Sequence, residues 1–423
     1  MKKVFYYIRL KNVSPLHIGN GDSTFTDDDL IKDKKGAFYI PGTGMAGSIV
    51  HYLSDEEKEV FLPAAKDSNG KVIDKNAQCP VYISDAVLIE DKHAVEKRDG
   101  IQLTRDKITV DGAKYDYEIL PAGYEFVWRV EIVERKPSDS DLENIFEHAL
   151  AAIESHSISI GFKTTRGLGR LEVLSAGKKI YDEKNIEEYF NFDVYDEKDY
   201  TDITEEIKET AKTEKGRFTK ISVPLTQKGG ISIRAYNTEK GYADYEHIKS
   251  AGRSVIPGTS WNGLLRHKFL EYAEESGLYS DYGFKSAEDF VNYIFGYVVT
   301  GKDAVKEKSR IQIEESVIRG GRDSEFTRNR INPFSAATVN GALYKERTVY
   351  GGKCRLNIMV SEDIDAKDLV LQFIKLFIND LHNGFAAIGG ETSIGRGMFT
   401  VGYERDGKTE DVLLDGEVWE WRL

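Results

Sequence analysis

A short acidic loop near the start of the chain carries residues suited to holding a metal ion. The segment TFTDDDLIKD contains Asp27, Asp28, Asp29 and Asp33. Carboxylate oxygens are the ligands that Mg²⁺ prefers, and one aspartate can anchor the ion where a bound phosphate supplies further oxygens. Such a cation would offset the charge that develops on a phosphoryl group. The same composition is ordinary for a solvated loop, so these residues alone do not establish chemistry.

A second acidic segment, GYADYEHIKSAG (241–252), occupies the corresponding place later in the chain. Aligning the Ile-Lys dipeptide that follows each acidic cluster pairs Asp27 with Asp244. Aligning the Pro-Gly-Thr turns that come next pairs Asp28 with Asp244 instead. A one-residue gap therefore separates the two alignments, and the spacing alone leaves both open.

His17, at the end of the first predicted strand, offers a different chemistry. Histidine supports general acid–base catalysis of RNA cleavage without a metal. The second copy of the segment has Ser232 at this position, and no other histidine is coupled to His17 in the sequence. A lone histidine at a strand end is more often a packing or RNA-contact residue.

Two matched glycine-rich segments are candidates for phosphate binding. They read GFKTTRGLGRLEV (161–173) and GGETSIGRGMFTV (389–401). Backbone amides in such turns bind phosphate, and flanking cations add charge-assisted hydrogen bonds. The residues here that could contact the phosphates of a nucleic acid are Lys163, Arg166, Gly167, Gly169, Arg170, Gly395, Arg396 and Gly397. A dinucleotide fingerprint is excluded, because it needs strand, glycines and helix, whereas here a helix precedes the glycines and a strand follows.

Further basic residues recur in other matched segments. LTRDKI (103–108) and FTRNRI (326–331) supply Arg105, Lys107, Arg328 and Arg330, and a predicted helix supplies Arg266 and Lys268. Each of these is as consistent with a solvated surface as with RNA contact, and the repeated pairs carry more weight. Contacts to phosphate would make binding dependent on salt and independent of sequence.

These matches belong to an internal duplication of the chain. IPGTGMAGSIVHYL (40–53) recurs as IPGTSWNGLLRHKFL (256–270), and the hairpin and glycine segments recur in the same order. Such self-similarity is the mark of a repeated structural unit. The sequence predicts a first module over residues 1–175, an acidic linker over 176–217 and a second module over 218–423.

Each module reads as an α+β unit. A strand with period-two alternation opens it, and a Pro-Gly-Thr turn then begins a helix that Thr43 or Thr259 is expected to cap. A strand pair, a hairpin-like insert, a helix with three-to-four spacing and a last strand follow. This order predicts a tandem duplication of a ferredoxin-like (RRM-like) module with thumb-like hairpin inserts. The aromatic signature of RNA-recognition domains is missing.

Composition adds a few limits. The formal net charge of −13 argues against indiscriminate binding of nucleic acid but allows a local basic groove. The two cysteines, Cys79 and Cys354, have no spaced partners, so we expect buried, inert thiols rather than a disulfide or a zinc site. The sequence has no apolar run long enough to predict a membrane span, and no signal peptide is recognisable. A cytoplasmic protein is therefore expected.

The motifs together resemble the RAMP superfamily of CRISPR-associated proteins. The stretch LHIGNGDSTFTDDDLIKDKKGAFYIPGTGMAGSI (16–49) looks like the N-terminal part of backbone subunits of type III CRISPR effector complexes. YISDAVLI, YEILPAGYEF and the glycine segments also fit. Two fused copies look like the double-module backbone subunit of D-subtype systems.

The resemblance implies a subunit that binds CRISPR guide RNA alongside other type III effector subunits. A thumb-like hairpin in such subunits flips bases, and target RNA paired with the guide is cut beside each thumb. The family's catalytic residue is an aspartate in the loop after the first strand, acting with a divalent metal such as Mg²⁺. Its motif favours Asp27 over Asp28, with Asp244 as a second, less certain metal site because Tyr245 and Glu246 depart from the first copy.

Two other functions fit the same residues. The chain could be a non-catalytic subunit of the complex that only holds or caps the guide. It could also be a metal-independent, guide-processing nuclease that uses His17, since relatives with that activity use histidine.

Overall fold

The chain forms two compact units. The first unit comprises residues 1–97, 115–164 and 168–216, and the second comprises residues 98–114, 165–167 and 217–423. The computed structural model describes the chain except for residues 1, 22, 63–64, 67–71, 75–78, 91, 102, 105–107, 136–138, 140, 183–185, 214–215, 237–242, 300–304, 406–407 and 423. Arg105 and Lys107 therefore lie outside the described residues.

Residues 1–216 contain five helices and eleven strands among those described. The helices are α1 (Gly42–Tyr52), α2 (Asp55–Phe61), α3 (Leu142–Glu154), α4 (Ile186–Asn191) and α5 (Thr204–Thr213). The strands are β1 (Lys2–Asn12), β2 (Tyr39–Ile40), β3 (Ala65–Lys66), β4 (Val72–Asp74), β5 (Val81–Ile83), β6 (Ala86–Leu88), β7 (Glu96–Gly100), β8 (Tyr115–Ile119), β9 (Glu125–Glu134), β10 (Leu171–Tyr181) and β11 (Thr201–Asp202).

The main sheet of the first unit has the strand order of a ferredoxin-like fold. β1 lies between β10 and β9 and is antiparallel to both, and β5 and β6 pair with the other edge of β9. Alternate residues of β1, from Val4 to Leu10, are fully buried, as period-two patterning predicts. They join α1 and α3 in one core, where the ring of Tyr6 lies 4.7 Å from that of Phe146. The predicted α+β fold is confirmed.

The segment predicted to be an acidic linker contributes to the first unit. β10 continues to Tyr181, β11 pairs with β10, and Ile203 and Ile207 join the core that contains α3. Acidic composition alone suggested a solvated connection. The alternating apolar residues of this segment instead have a sheet edge and a helix to pack against, so residues 176–216 are assigned to the folded unit.

Aromatic residues of the same segment cover the sheet face opposite α1 and α3. The ring of Phe192 lies 5.2 Å from those of Phe5 and Tyr181, and the ring of Tyr200 lies 5.6 Å from that of Tyr7. The guanidinium of Arg129 lies 4.0 Å from the ring centroid of Tyr195. The chain's own side chains therefore cover part of this face of the sheet, whereas Val87 of β6 is 52% exposed.

The first turn of α1 is capped differently from expectation. Pro41, not Thr43, occupies the N-cap position, and Pro257 does so for the matching helix of the second unit, neither with a side-chain cap. Proline presets the backbone angle but offers no acceptor. The carboxylate of Asp85 supplies one instead, accepting the N–H of Gly42 at 2.7 Å.

Residues 217–423 contain three helices and eighteen strands among those described. The helices are α6 (Gly258–Ser276), α7 (Ala287–Phe295) and α8 (Lys367–Asn383). The strands are β12 (Phe218–Lys228), β13 (Gly230–Ile231), β14 (Arg234–Tyr236), β15 (Tyr245–His247), β16 (Lys249–Ser250), β17 (Arg253–Ile256), β18 (Tyr297–Val299), β19 (Val305–Glu307), β20 (Ile311–Ile313), β21 (Ser316–Val317), β22 (Arg322–Arg328), β23 (Tyr344–Tyr350), β24 (Lys353–Ser361), β25 (Met398–Val401), β26 (Tyr403–Arg405), β27 (Lys408–Glu410), β28 (Leu413–Leu414) and β29 (Glu417–Val418).

The second unit repeats the arrangement of the first. β12 lies between β25 and β24 and is antiparallel to both, and β20 pairs with the other edge of β24. The core joins this sheet to α6, α7 and α8, with Trp261 and Phe373 almost wholly buried. Two ferredoxin-like units in one chain confirm the predicted duplication.

A long hairpin projects from the second unit at the predicted thumb-like insert. β22 and β23 pair over their whole length, from Arg322 with Tyr350 to Arg328 with Tyr344. Residues 329–343 connect them and are almost all exposed, with Phe334 98% exposed.

Both cysteines lie outside this hairpin: Cys354 is buried and Cys79 half-buried. Burial raises the pKa of each thiol, that of Cys354 to about 12, which disfavours the reactive thiolate form.

The aromatic cover of the first sheet provides a matched test of stability. Because the ring of Phe192 packs on two other rings, Phe192→Ala should lower the free energy of unfolding by about 1–3 kcal/mol. Phe190, in the same segment, is 78% exposed, so Phe190→Ala should change it by less than about 0.5 kcal/mol. Urea denaturation measures both, and equal effects would contradict the role given to Phe192.

Candidate functional site

The acidic loop of the first unit is docked onto the hairpin strand β8. The main-chain oxygen of Asp28 accepts the N–H of Glu118 at 3.1 Å. The carboxylate of Glu118 in turn accepts the N–H of Leu30 and the ammonium of Lys32, each at 3.0 Å. The loop is therefore held at both sides of its acidic residues, which fixes where their side chains lie.

Asp29 and Asp33 shape this loop. The buried carboxylate of Asp29 accepts the N–H groups of Thr24, Phe25 and Thr26 within 3.0 Å, and also the Thr26 hydroxyl. Burial alone would raise the pKa of Asp29, but these hydrogen bonds lower it to about 2. Asp33 accepts two main-chain N–H groups of the following turn, each at 2.8 Å. Both carboxylates are taken up by hydrogen bonds within the loop, whereas Asp27 is exposed and Asp28 is partly exposed.

Asp27 is exposed and oriented by a reciprocal pair of hydrogen bonds. Its N–H donates to the carboxylate of Asp116 at 2.9 Å, and the N–H of Asp116 donates to Oδ2 of Asp27 at 2.8 Å. One carboxylate oxygen of Asp27 is thus fixed by a main-chain donor. The side chain is presented to solvent in a defined orientation at the start of β8.

Asp244 occupies the same position in the second unit. The N–H of Lys345 donates to Oδ2 of Asp244 at 2.8 Å, as that of Asp116 does to Asp27. The parallel bridge between Asp28 and Tyr117 has its counterpart in that between Tyr245 and Glu346. The register therefore makes Asp27 the counterpart of Asp244, and Asp28 the counterpart of Tyr245.

Asp28 is paired with the fully buried His17. Nε2 of His17 lies 2.9 Å from Oδ2 of Asp28, and Nδ1 lies 2.5 Å from the main-chain oxygen of Glu118. Because a carbonyl oxygen only accepts, Nδ1 carries a proton. The imidazole is enclosed by the rings of Tyr117 and Phe162, at 5.6 and 5.5 Å. His17 therefore positions Asp28 and is shielded from a substrate.

The last glycine of each glycine loop is hydrogen-bonded to its own unit. The N–H groups of Gly169 and Gly397 donate to the carbonyls of Pro15 and Gly230, each at 2.8 Å. A Cβ at either glycine would lie 1.8 Å from a main-chain oxygen, so only glycine fits. Gly167 and Gly395 also have left-handed backbones, with φ of 85° and 83°. The amides of Gly169 and Gly397 serve this packing, which differs from the predicted role in phosphate binding.

Arg396 is also used internally. Its guanidinium is 3% exposed and bonds both carboxylate oxygens of Glu346, with Glu391 as a second partner at 2.6 Å. Burial would raise the pKa of Glu346, but the hydrogen bond and charge of Arg396, with a contribution from Arg328, lower it. The Nε atom of Arg328 lies 2.5 Å from Glu346. These ions brace the hairpin strand β23 from within.

Three other predicted RNA-binding residues hold helices or lie in the interior. Arg170 is 3% exposed, and burial lowers its pKa to about 10. Arg266 donates to the main-chain oxygen of Gly296 at 3.1 Å and to Asn292, both at the end of α7. Lys268 forms ion pairs with carboxylates of α6 and α8. Of the predicted cations that the structure describes, Arg330 is exposed, Lys163, Arg166, Arg266, Lys268 and Arg328 are partly exposed, and Arg170 and Arg396 are buried.

Two matching positions carry apolar side chains in the first unit and charged side chains in the second. Tyr117 and Leu168 form a small apolar cluster with Ile119 in the first unit. Glu346 and Arg396 replace them in the second and form the buried ion pair. Glu346 and Glu391 were not predicted from the sequence. The replacement of both Tyr117 and Leu168 by charged residues in the second copy is a signal that could have revealed the ion pair.

The exchanged pairs provide a test by double substitution. Arg396→Leu alone leaves the Glu346 carboxylate buried with only Arg328, so it should lower the free energy of unfolding by about 3–5 kcal/mol. Adding Glu346→Tyr recreates the first unit's apolar pair and should restore most of the loss. Denaturation of the wild type, both single variants and the double variant measures the coupling. Additive losses would contradict a direct interaction.

The buried Asp29 carboxylate makes stability depend on pH. Its pKa is about 2 in the folded chain, below its ordinary value of 3.8, so its contribution is full above pH 4 and is lost as pH falls towards 2. Asp29→Asn should cost about 2 kcal/mol at pH 7, and this difference from wild type should shrink below pH 4. Urea denaturation across pH measures it, with the exposed Asp281→Asn as control. A pH-independent difference would contradict this assignment.

The donor set around Asp27 limits how a metal could bind. In the part of the chain that the structure describes, no group of three or more His, Cys, Asp or Glu side chains could hold a metal ion. Asp27 and Asp244 each present one exposed carboxylate with one oxygen fixed by an N–H group. This fits Mg²⁺ bound through one carboxylate, with water and RNA phosphate completing its shell.

Comparison with known families agrees with the duplicated architecture. The family model described as the RAMP superfamily matches residues 9–172 and 240–400. The chain belongs to the RAMP superfamily, whose members are typically CRISPR-associated RNA-binding subunits. No curated protein sequence matches the chain. Among the described residues, no helix is long and apolar enough to cross a membrane.

Proposed function

We propose that the chain is a guide-RNA-binding backbone subunit of a type III CRISPR ribonucleoprotein and cleaves guide-paired target RNA at two sites. The observation that carries the proposal is the equivalent placement of Asp27 and Asp244. Each is an exposed aspartate held by a main-chain N–H at the start of a hairpin strand. The motifs shared with double-module backbone subunits support the choice of complex.

Each aspartate would hold one Mg²⁺ against a phosphate of the target strand. The bound metal supplies positive charge where negative charge builds on the phosphoryl oxygens. The chain's own part is geometric: the N–H of Asp116 or Lys345 fixes one carboxylate oxygen, so the other points outward. The hairpin between β22 and β23, with its exposed tip, would displace a base and align the attacking oxygen with the leaving 5′-oxygen.

The partners of this subunit are guide RNA, complementary target RNA and neighbouring effector subunits. Among the predicted contacts, Lys163, Arg166, Arg328 and Arg330 are at least partly exposed and, unlike Arg266 and Lys268, do not hold helices, so they could reach RNA phosphates. Because the net charge is −13, binding would depend on these local cations and weaken as salt rises.

Cleavage by assembled complexes tests the proposal. Complexes that contain Asp27→Asn or Asp244→Asn should each lose one cut by at least about a hundredfold and keep the other. The double variant, or wild type in EDTA, should lose both. Complexes should still assemble on the guide, which native mass spectrometry checks. An unchanged fragment pattern in all variants would leave a guide-holding subunit without catalysis.

The same assay distinguishes the histidine mechanism. His17 is fully buried and hydrogen-bonded at both nitrogens, so general acid–base catalysis by this ring is disfavoured. Cleavage that persists in EDTA and disappears in His17→Ala would establish a metal-independent nuclease instead. Denaturation of His17→Ala controls for loss of folding.

A further inference from the structure

A cluster of aromatic rings around one ammonium lies beside Asp28 in the first unit. Nζ of Lys163 is 3.7 Å from the ring centroid of Tyr117, 4.5 Å from that of Tyr115 and 5.2 Å from that of Phe162. It also donates to the Tyr115 hydroxyl at 2.6 Å. We call these four residues the Lys163 cluster. Tyr117 is buried, but Phe162 is 45% and Tyr115 39% exposed.

The cluster is held rigidly against the interior. The N–H of Phe162 donates to the main-chain oxygen of His17 at 2.9 Å, and its ring packs on that imidazole. Lys163 has a left-handed backbone, with φ of 53°, which costs about 1–2 kcal/mol for a residue with a Cβ. This conformation places the lysine side chain over the rings. Two exposed rings and a cation are thus presented together on this loop.

The fold itself does not require this cluster. The second unit builds the same loop with Gly390 in place of Phe162, Glu391 in place of Lys163 and Glu346 in place of Tyr117. Glu391 has the same left-handed backbone, with φ of 60°, and its carboxylate pairs with arginines. Two rings are lost and the cation becomes an anion, although the loop is preserved. The first unit's rings are therefore additional to what the loop needs.

We infer that the Lys163 cluster binds one unpaired nucleobase of single-stranded RNA. The base would stack on the exposed rings of Phe162 and Tyr115, and the ammonium would contact the adjacent phosphate. Exposed aromatic rings beside a cation bind single strands in this way, because every base has a stacking face. The site lies on the same loop junction as Asp28, through its contact with His17. The second unit lacks the counterparts of Phe162 and Lys163, since Gly390 and Glu391 stand there.

This inference rests on the proposed RNA-binding function and is tested apart from cleavage. The parent protein is the full chain with Asp27→Asn, in EDTA. It is titrated with a short single-stranded RNA and with an abasic ribose-phosphate strand of equal length. Phe162→Leu should weaken RNA binding roughly tenfold and leave abasic binding unchanged. Lys163→Asn, which tolerates the left-handed backbone, should weaken both and reduce the salt dependence by about one phosphate contact.

Controls separate stacking from general effects. Phe385→Leu removes an exposed ring of the second unit and should leave both affinities unchanged. Irradiation at short ultraviolet wavelength should cross-link RNA to the peptide that contains Phe162 or to the one that contains Tyr115. Urea denaturation should show that all variants fold like the parent.

Each outcome decides the matter. Unchanged RNA affinity in both cluster variants, without a cross-link, would overturn the inference and leave the proposed function standing. An equal loss of RNA and abasic binding in Phe162→Leu would overturn stacking. A parent protein that binds neither strand would overturn both the inference and the proposed function.

Discussion

The structure depends on one recurring contact, in which a main-chain N–H at the start of a hairpin strand holds an aspartate of the preceding loop. Asp116 and Lys345 supply this N–H to Asp27 and Asp244. Because the donor is a main-chain N–H, the contact does not depend on the side chain of the donor residue, which is an aspartate in one unit and a lysine in the other. It links the acidic loop to the hairpin strand and so fixes where the carboxylate lies relative to that strand.

Around this shared frame the two units have diverged. The first has the His17–Asp28 pair and an apolar cluster, whereas the second has Ser232, Tyr245 and a buried ion pair. A buried ion pair contributes little net stability relative to apolar packing, but it is costly to break singly. The apolar pair and the ion pair can therefore be exchanged at low cost only if both residues are replaced together. The frame is kept by glycines that allow no Cβ, which explains why the loops match while their contents differ.

Much of the fold could be predicted from the sequence, because repetition reveals what two stretches share. The strand order follows from the order of elements, and the modules follow from matched motifs. The pairing of Asp27 with Asp244 could not be fixed, because a one-residue gap in a loop is resolved only by strand register. Spacing also could not show that Arg396 is buried, since its partner Glu346 lies fifty residues away in the chain. Acidic composition likewise concealed the aromatic packing of residues 186–200.

That packing has a consequence for how nucleic acid can meet the first unit. RNA-recognition domains of similar strand order read bases on the open sheet face. Here Phe192, Tyr195 and Tyr200 pack on this face, where they would compete with RNA bases for the same surface. The segment also carries several carboxylates, among them Asp193 and Glu197, which repel phosphate. These side chains therefore reduce the part of this sheet face that is open to a nucleic acid.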